Sequence, residues 1–494
     1  MEYRQLASRL IAIDLPGPTL DPAHREFLSR HRFSAVCLFR RNIESRPQLL
    51  ALIAELKELL GEELLIATDQ EGGSVTRIPF RPTPPSPMAL GAGGKSELSR
   101  EVGRWVGEDL ASLGIRWDLA PCLDVSSNPA NPVIGERSFG SDPRQVAAHG
   151  LAWAEGLQQA GVMPCAKHFC GHGNTAVDSH LDLPTVAASR AELEATELLP
   201  FQLAAAAGIP ALMTAHILYP ALDPVYPATL SRAILHDLLR GEYGYRGIVV
   251  TDSTDMQAIA ARYSPGQAAV RALRAGADLV LGLGDLAVKE EQVQAVAAAL
   301  SGSELRASAE ASLGRIGAAY ERFRGASPTR PSDPSSTYRA AWEAGVTRFG
   351  EPPVARRGQR VLLLCPLRAP GSGAYQEGPS GQAVLRWLAE DFSVLPLLYT
   401  EAASLALPAA PEADLLLFAT TGSKLMGPAE LELAKRAFGL GLRGLHLALW
   451  NPYHTWQLRR PALASYGFSE EALGALKAAL LGGEAPGHFP FSMD

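Results

Sequence analysis

Eight short apolar runs recur along the first two thirds of the chain: Leu10–Asp14, Ala35–Phe39, Leu64–Asp69, Ile115–Ala120, Val162–Lys167, Ala211–His216, Ile248–Asp252 and Asp278–Leu283. Each has the length of a buried strand. Most of the gaps carry amphipathic helical patterns, among them Arg46–Leu60, Leu98–Leu113, Pro143–Gln159 and Arg190–Ala207. Parallel neighbours need a crossover long enough for a helix, so this alternation builds a parallel sheet. Eight such units over about 300 residues are what a closed (β/α)8, TIM-type barrel requires. In that fold the chemistry gathers at the carboxyl ends of the strands. The polar residues ending or following the runs, Asp69, Asp124, Lys167, His168, His216 and Asp252, therefore become candidates for one site.

The pattern changes after a helical stretch at Glu304–Arg324. Gly325-Ala326-Ser327-Pro328-Thr329-Arg330-Pro331-Ser332-Asp333-Pro334-Ser335-Ser336 reads as a linker. A brief helical pattern at Tyr338–Val346 follows, then apolar runs at Val361–Cys365, Val394–Leu398, Asp414–Ala419, Leu445–Trp450 and Ala462–Tyr466. Helical patterns at Gln382–Glu390, Pro428–Phe438 and Glu470–Leu481 alternate with these runs. The expected organisation is a barrel over 1–325, a linker over 326–356 and a smaller α/β sandwich over 357–494.

With 494 residues and a formal charge of −7, the chain has a large core and lacks the basic field that nucleic acid or an anionic membrane demands. No apolar run reaches the length of a membrane span. Five cysteines, at 37, 122, 165, 170 and 365, are odd in number and mostly embedded in apolar runs. Reduced thiols, with no signal-peptide pattern in Met1-Glu2-Tyr3-Arg4-Gln5, make the cytoplasm the expected compartment.

The densest polar cluster is Lys167-His168-Phe169-Cys170-Gly171-His172-Gly173-Asn174-Thr175-Ala176-Val177-Asp178-Ser179-His180. It follows the fifth run, as a functional loop leaving a strand would. An imidazole titrates near neutrality, and a carboxylate two residues away can fix its tautomer, so Asp178 and His180 form a candidate acid/base pair. Cys165, His168, Cys170 and His172 are rival metal ligands, but crowding all ligands into one strand and its loop suits zinc poorly. Cys165 is expected in the core, and no metal is expected. The glycine run Gly91-Ala92-Gly93-Gly94-Lys95-Ser96 lacks the first glycine of a phosphate loop, since Ala89 stands there, and reads as a turn ahead of a helix at Leu98.

The run Lys-His-Phe-x-Gly-His-Gly with the later Asp-Ser-His resembles the catalytic loop of family 3 glycoside hydrolases of the β-N-acetylglucosaminidase type. Asp69-Gln70-Glu71-Gly72-Gly73 with Arg77, Ala120 to Val125, Arg137-Ser138-Phe139-Gly140, Met213 to His216 and Val250-Thr251-Asp252 follow in the family's order. Cys170 stands where proline is usual, and the residues after Asp252 also vary. The resemblance implies a retaining exo-β-N-acetylglucosaminidase without metal or organic cofactor, acting on muropeptides or chito-oligosaccharides. It makes Asp252 the nucleophile, His180 the acid and then base, and Asp178 its partner. Asp69, Arg77, Arg137, Lys167 and His168 would bind the N-acetylglucosaminyl unit, with Asp124 and His216 as braces. A phosphorylase and a β-glucosidase of the same family are alternatives, and a non-catalytic sugar-binding relative is one of another class.

Overall fold

The structure is a computed structural model and describes residues 2–179, 181–325, 333–369 and 378–492. Its larger unit is an eight-stranded parallel sheet in the order β7-β6-β5-β4-β3-β2-β1-β8. The strands are β1 (Ile11–Ile13), β2 (Ala35–Leu38), β3 (Leu65–Thr68), β4 (Trp117–Asp118), β5 (Met163–Phe169), β6 (Ala211–Thr214), β7 (Ile248–Val250) and β8 (Val280–Leu281). A parallel bridge from Val250 to Leu279 closes the sheet into a barrel. All eight expected runs hold strands, several of them shorter than the apolar run that marked them.

Alternation along the strands divides the core. Cys37, Leu65, Ala67, Trp117, Met163, Cys165, Met213 and Val250 form the cluster inside the barrel, joined by Ile316 and Phe323 of the helix Ser303–Phe323. Val36, Leu38, Ile66, Ala166 and Leu212 belong to the cluster between strands and helices. Helices begin where the sequence supplies a cap: Ser45 Oγ accepts from Gln48 N ahead of Arg46–Leu60, and Asp142 from Arg144 N ahead of Pro143–Gln159. A side-chain acceptor there satisfies an otherwise orphaned N–H.

Two helical expectations need correction. Arg190–Ala207 is two helices, Arg190–Ala195 and Leu199–Ala206, broken at Thr196 (φ −124°, ψ −82°) with Pro200 in the first turn of the second. Pro200 has no N–H to give the Thr196 carbonyl four residues back but is tolerated in a first helical turn, so the chain restarts rather than continues. The glycine run is not simply a turn, because Pro87–Gly93 is helical and ends on Gly94 in the left-handed region (φ 69°).

The second unit is a six-stranded sheet in the order β11-β10-β12-β13-β14-β9. It comprises β9 (Thr347–Phe349), β10 (Arg360–Pro366), β11 (Ser393–Tyr399), β12 (Leu415–Thr420), β13 (Arg443–Ala448) and β14 (Ala462–Ala464). All pairings are parallel except β9 with β14. Separate apolar clusters cover its two faces, giving three layers. Within the span read as a linker, residues 326–332 lie outside the described residues, while Ser335–Gly345 is a helix leading into β9. Trp342 of that helix shares an apolar cluster with Met88, Ala89 and Ala92 of the barrel unit. No helix among the described residues is long and apolar enough to cross a membrane.

Candidate active site

At the carboxyl ends of the barrel strands lies a cavity of about 410 Å³. Asp69, Arg77, Arg137, Lys167, His168 and Asp252 all line it. Asp69 directly follows β3, Lys167 and His168 are on β5, and Asp252 is two residues past β7. Six side chains named from strand ends and motifs are thus brought together.

Their charges interlock. Lys167 Nζ lies 2.7 Å from Asp69 Oδ1 and 2.6 Å from Glu71 Oε1. Arg137 donates to both oxygens of Glu71, at 2.7 and 2.8 Å, and Arg77 Nη2 is 3.4 Å from Asp69 Oδ2. Burial alone would raise the two carboxyls, but Lys167 and Arg77 hold Asp69 at about 2, and Arg137 and Lys167 hold Glu71 at about 2. Burial would lower the Lys167 ammonium, yet Asp69 and Glu71 outweigh it and raise its pKa above the usual lysine range. Lys167, Asp69 and Glu71 therefore stay charged in a largely buried cluster.

Asp124 sits beneath this cluster, fully buried, and does not line the cavity. Its carboxylate accepts from His168 Nδ1 at 2.6 Å, His168 N at 3.1 Å and His172 N at 2.6 Å. His168 Nδ1–H is thereby committed to Asp124, leaving Nε2 3.5 Å from Arg137 Nη2. Burial would raise the Asp124 carboxyl, but His168 holds it well below the usual carboxylate range. His216 braces the opposite wall: Nδ1 contacts Thr229 Oγ1 at 2.8 Å, and Nε2 donates to the Ser253 carbonyl at 2.7 Å, next to Asp252.

The loop leaving β5 is held from both sides. An added Cβ at Gly173 would meet the Val125 carbonyl at 1.5 Å, so only glycine permits this approach. His172 spans Thr175 Oγ1 at 3.0 Å and Ser179 Oγ at 2.9 Å. Burial and the neighbouring His168 push its pKa down to about 4, so the imidazole is neutral near pH 7. Ser179 lines the cavity, and its carbonyl accepts from Ala258 N at 3.2 Å, in the segment after Asp252. Asp182 meets Arg262 at 3.1 Å. Asp178 is buried but is not part of the cavity wall, and His180 lies outside the described residues.

Sequence reasoning missed Glu71, although Asp-Gln-Glu-Gly-Gly was on view, because nothing local says that its side chain turns inward. It also passed over Phe39, which ends the second run and lines the cavity with the Arg41 guanidinium 4.6 Å from its ring centroid. The four suggested metal ligands do not converge: Cys165 faces the barrel interior, whereas Cys170 joins the outer apolar cluster. Among the described residues, Cys122, Asp124 and His168 bring ligand atoms within 4.8 Å, but the Asp124 oxygens already accept three N–H groups and the Cys122 thiol.

Residues 5–318 match the Glycosyl hydrolase family 3 N terminal domain. Beta-hexosaminidase A of Pseudoalteromonas piscicida is 39% identical over 285 residues, covering 53% of this chain and 48% of that protein, so the match spans about half of that relative. The beta-hexosaminidase of Tolumonas auensis is 38% identical over 275 residues, 55% of this chain and 81% of its own. A solved glycoside hydrolase family 3 β-N-acetylglucosaminidase from Paenibacillus sp. str. FPU-7 superposes with a TM-score of 0.90 at 31% identity, over 99% of this chain and 98% of its own. With a family match across the whole barrel and a likeness that extends through the second sheet, the chain belongs to glycosyl hydrolase family 3.

Proposed function

We propose that the protein is a retaining exo-β-N-acetylglucosaminidase that removes terminal N-acetylglucosamine from peptidoglycan-derived muropeptides or chito-oligosaccharides. The observation that carries this reading is the opening of the Asp252 carboxyl into the same cavity as Asp69, Arg77, Arg137, Lys167 and His168. About 410 Å³ is near the lower end of small-molecule sites and suits one sugar unit rather than a polymer cleft. The names of the relatives support the acetamido sugar.

In this mechanism Asp252 bonds to the anomeric carbon as the glycosidic C–O bond breaks, and the His180 imidazolium gives its proton to the departing oxygen. A water, deprotonated by the now neutral His180, then attacks the same carbon and releases the Asp252 carboxylate. Asp178 would steady the imidazole in its two protonation states. Ser179, adjacent to both members of the pair, reaches the cavity wall, and this supports delivery of a proton there. Asp69 and the cations would grip the ring hydroxyls and the acetamido carbonyl.

The test is release of the phenol from an aryl β-N-acetylglucosaminide. Wild-type protein should cleave it in preference to the matching β-glucoside, and Asp252→Ala should lose at least about a thousandfold in kcat, as befits removal of a covalent nucleophile. Near-wild-type turnover by Asp252→Ala or His180→Ala would overturn the assignment. Products from runs with and without phosphate separate hydrolysis from phosphorolysis, since only the latter yields a sugar 1-phosphate.

A further inference from the structure

The second α/β unit touches the loops that seat two of the cavity residues. Tyr453, at the start of the helix Tyr453–Leu458 that follows β13, is buried with its hydroxyl 2.8 Å from Ser126 Oγ and 3.3 Å from the Ser126 carbonyl. Ser126 lies two residues beyond Asp124, the carboxylate that orients His168. Trp450, fully buried just past β13, stands beside the Glu136 carboxyl and offsets part of the burial that raises it, and that carboxyl accepts from Ser74 Oγ. Glu136 immediately precedes Arg137 in the short helical turn Gly135–Arg137. A third contact comes from the C-terminal tail, where the Pro490 carbonyl accepts from Ser141 N at 2.7 Å.

These contacts fall on one connected piece of backbone. Ser138 Oγ joins the Asp124 carbonyl at 2.6 Å and the Gly140 carbonyl at 2.8 Å, and Ser126 N donates to the Gly140 carbonyl at 2.8 Å. From the same piece, Asn131 Nδ2 donates to the carbonyls of His172 and Gly173 at 2.8 and 3.0 Å. The segment 124–141 thus holds His168 through Asp124, carries Arg137, and grips the root of the 171–179 loop. Its outer side is held by the second unit.

We propose that the second unit is a positioning element of the active site, with Tyr453 and Trp450 as positioning residues that fix the seats of His168 and Arg137 and thereby set affinity for the sugar. This rests on the proposed function to the extent that those two cavity residues contact substrate. Neither aromatic side chain lines the cavity. Their effect passes through Ser126 to Asp124 and His168, and through Glu136 to Arg137.

The experiment is a double-mutant cycle on the full chain, using Tyr453→Phe, Ser126→Ala and both together, with an aryl β-N-acetylglucosaminide as substrate. Tyr453→Phe should raise KM about fivefold with kcat within about twofold, the loss of one hydrogen bond. Ser126→Ala should do the same, and the double variant should be no worse than either single one. Tyr466→Phe is the control, because it removes a 2.8 Å hydrogen bond to Thr347 inside the second unit. It should lower the unfolding temperature and leave KM alone. Amide exchange over 124–141 should quicken in Tyr453→Phe and not in Tyr466→Phe. Additive effects in the double variant, or an unfolding temperature lowered with KM and exchange unmoved, would overturn the proposal. An inactive wild-type protein would instead overturn the proposed function, and the exchange comparison would then decide the positioning role by itself.

Discussion

Glu71 is the residue whose removal tests the charge cluster most directly. It is 2% exposed and takes three donors: Nε and Nη2 of Arg137 at 2.7 and 2.8 Å, and Lys167 Nζ at 2.6 Å. Glutamine keeps the shape but turns an amide N–H₂ toward one Arg137 N–H, setting donor against donor. It also raises the cluster of Asp69, Glu71, Arg77, Arg137 and Lys167 from a formal charge of about +1 to about +2. Breaking a buried ion pair from one side costs about 3 to 5 kcal/mol. The pKa gives the same order: held at about 2 against an ordinary 4.5, the Glu71 carboxylate contributes about 3 kcal/mol at pH 7.

The sign of its pH dependence follows from the depressed value. This stabilisation is complete above about 4.5 and is lost as pH falls through about 2. At pH 3 roughly 1 kcal/mol remains, so the stability gap between wild type and Glu71→Gln should shrink by about 2 kcal/mol from pH 7 to pH 3. Equilibrium urea unfolding at the two pH values measures it. A gap under about 1 kcal/mol at pH 7, or one independent of pH, would refute the reasoning. In the folded enzyme KM should rise more than kcat falls, since Arg137 and Lys167 lose the partner that aims them.

Glu136 should behave with the opposite sign. Burial pushes its carboxyl up to about 7, so its contribution is present below about 4.5 and lost as pH rises through about 7. Glu136→Gln should gain about 2 kcal/mol on wild type between pH 5 and pH 8, and a pH-independent difference would contradict this. Asp124→Asn places an N–H₂ against His168 Nδ1 and forces the other tautomer, so KM should rise about tenfold or more, measured with an aryl β-N-acetylglucosaminide. His172→Ala unties Thr175 and Ser179 and should reduce kcat at least about tenfold with little change in the Ki of N-acetylglucosamine, and amide exchange over 171–179 should quicken.

The barrel was legible because its strands announce themselves as apolar runs, and five of the eight do so again through the polar residue that ends the run. Lys167 and Asp252 could be placed by strand position alone, since the fold fixes which end of a strand carries chemistry. The sharing of Glu71 between Lys167 and Arg137 was not legible, because it depends on side-chain direction two residues past a strand. The break at Thr196 was readable in principle from Pro200, but the apolar pattern of Leu198 to Ala207 masked it. Least accessible were Tyr453 and Trp450. Their partners are 327 residues away in the case of Ser126, and no local signal records an encounter set by the docking of two units.

The pairing inside the cavity also bears on what it can accept. Lys167, Arg137 and Arg77 each face a carboxylate, so no one of these cations waits for an anion. An anionic group placed among them would have to compete with Asp69 and Glu71, both held ionised far below neutral pH. A neutral polyol has no such conflict. Each hydroxyl can accept from a guanidinium or ammonium and donate to the adjacent carboxylate, taking its place in the network without changing its charge. The geometry of the cluster thus favours an uncharged sugar ring at the base of the cavity. Asp252 enters from the opposite wall, steadied through Ser253 by His216, and it is there that positive charge would develop as the glycosidic bond opens.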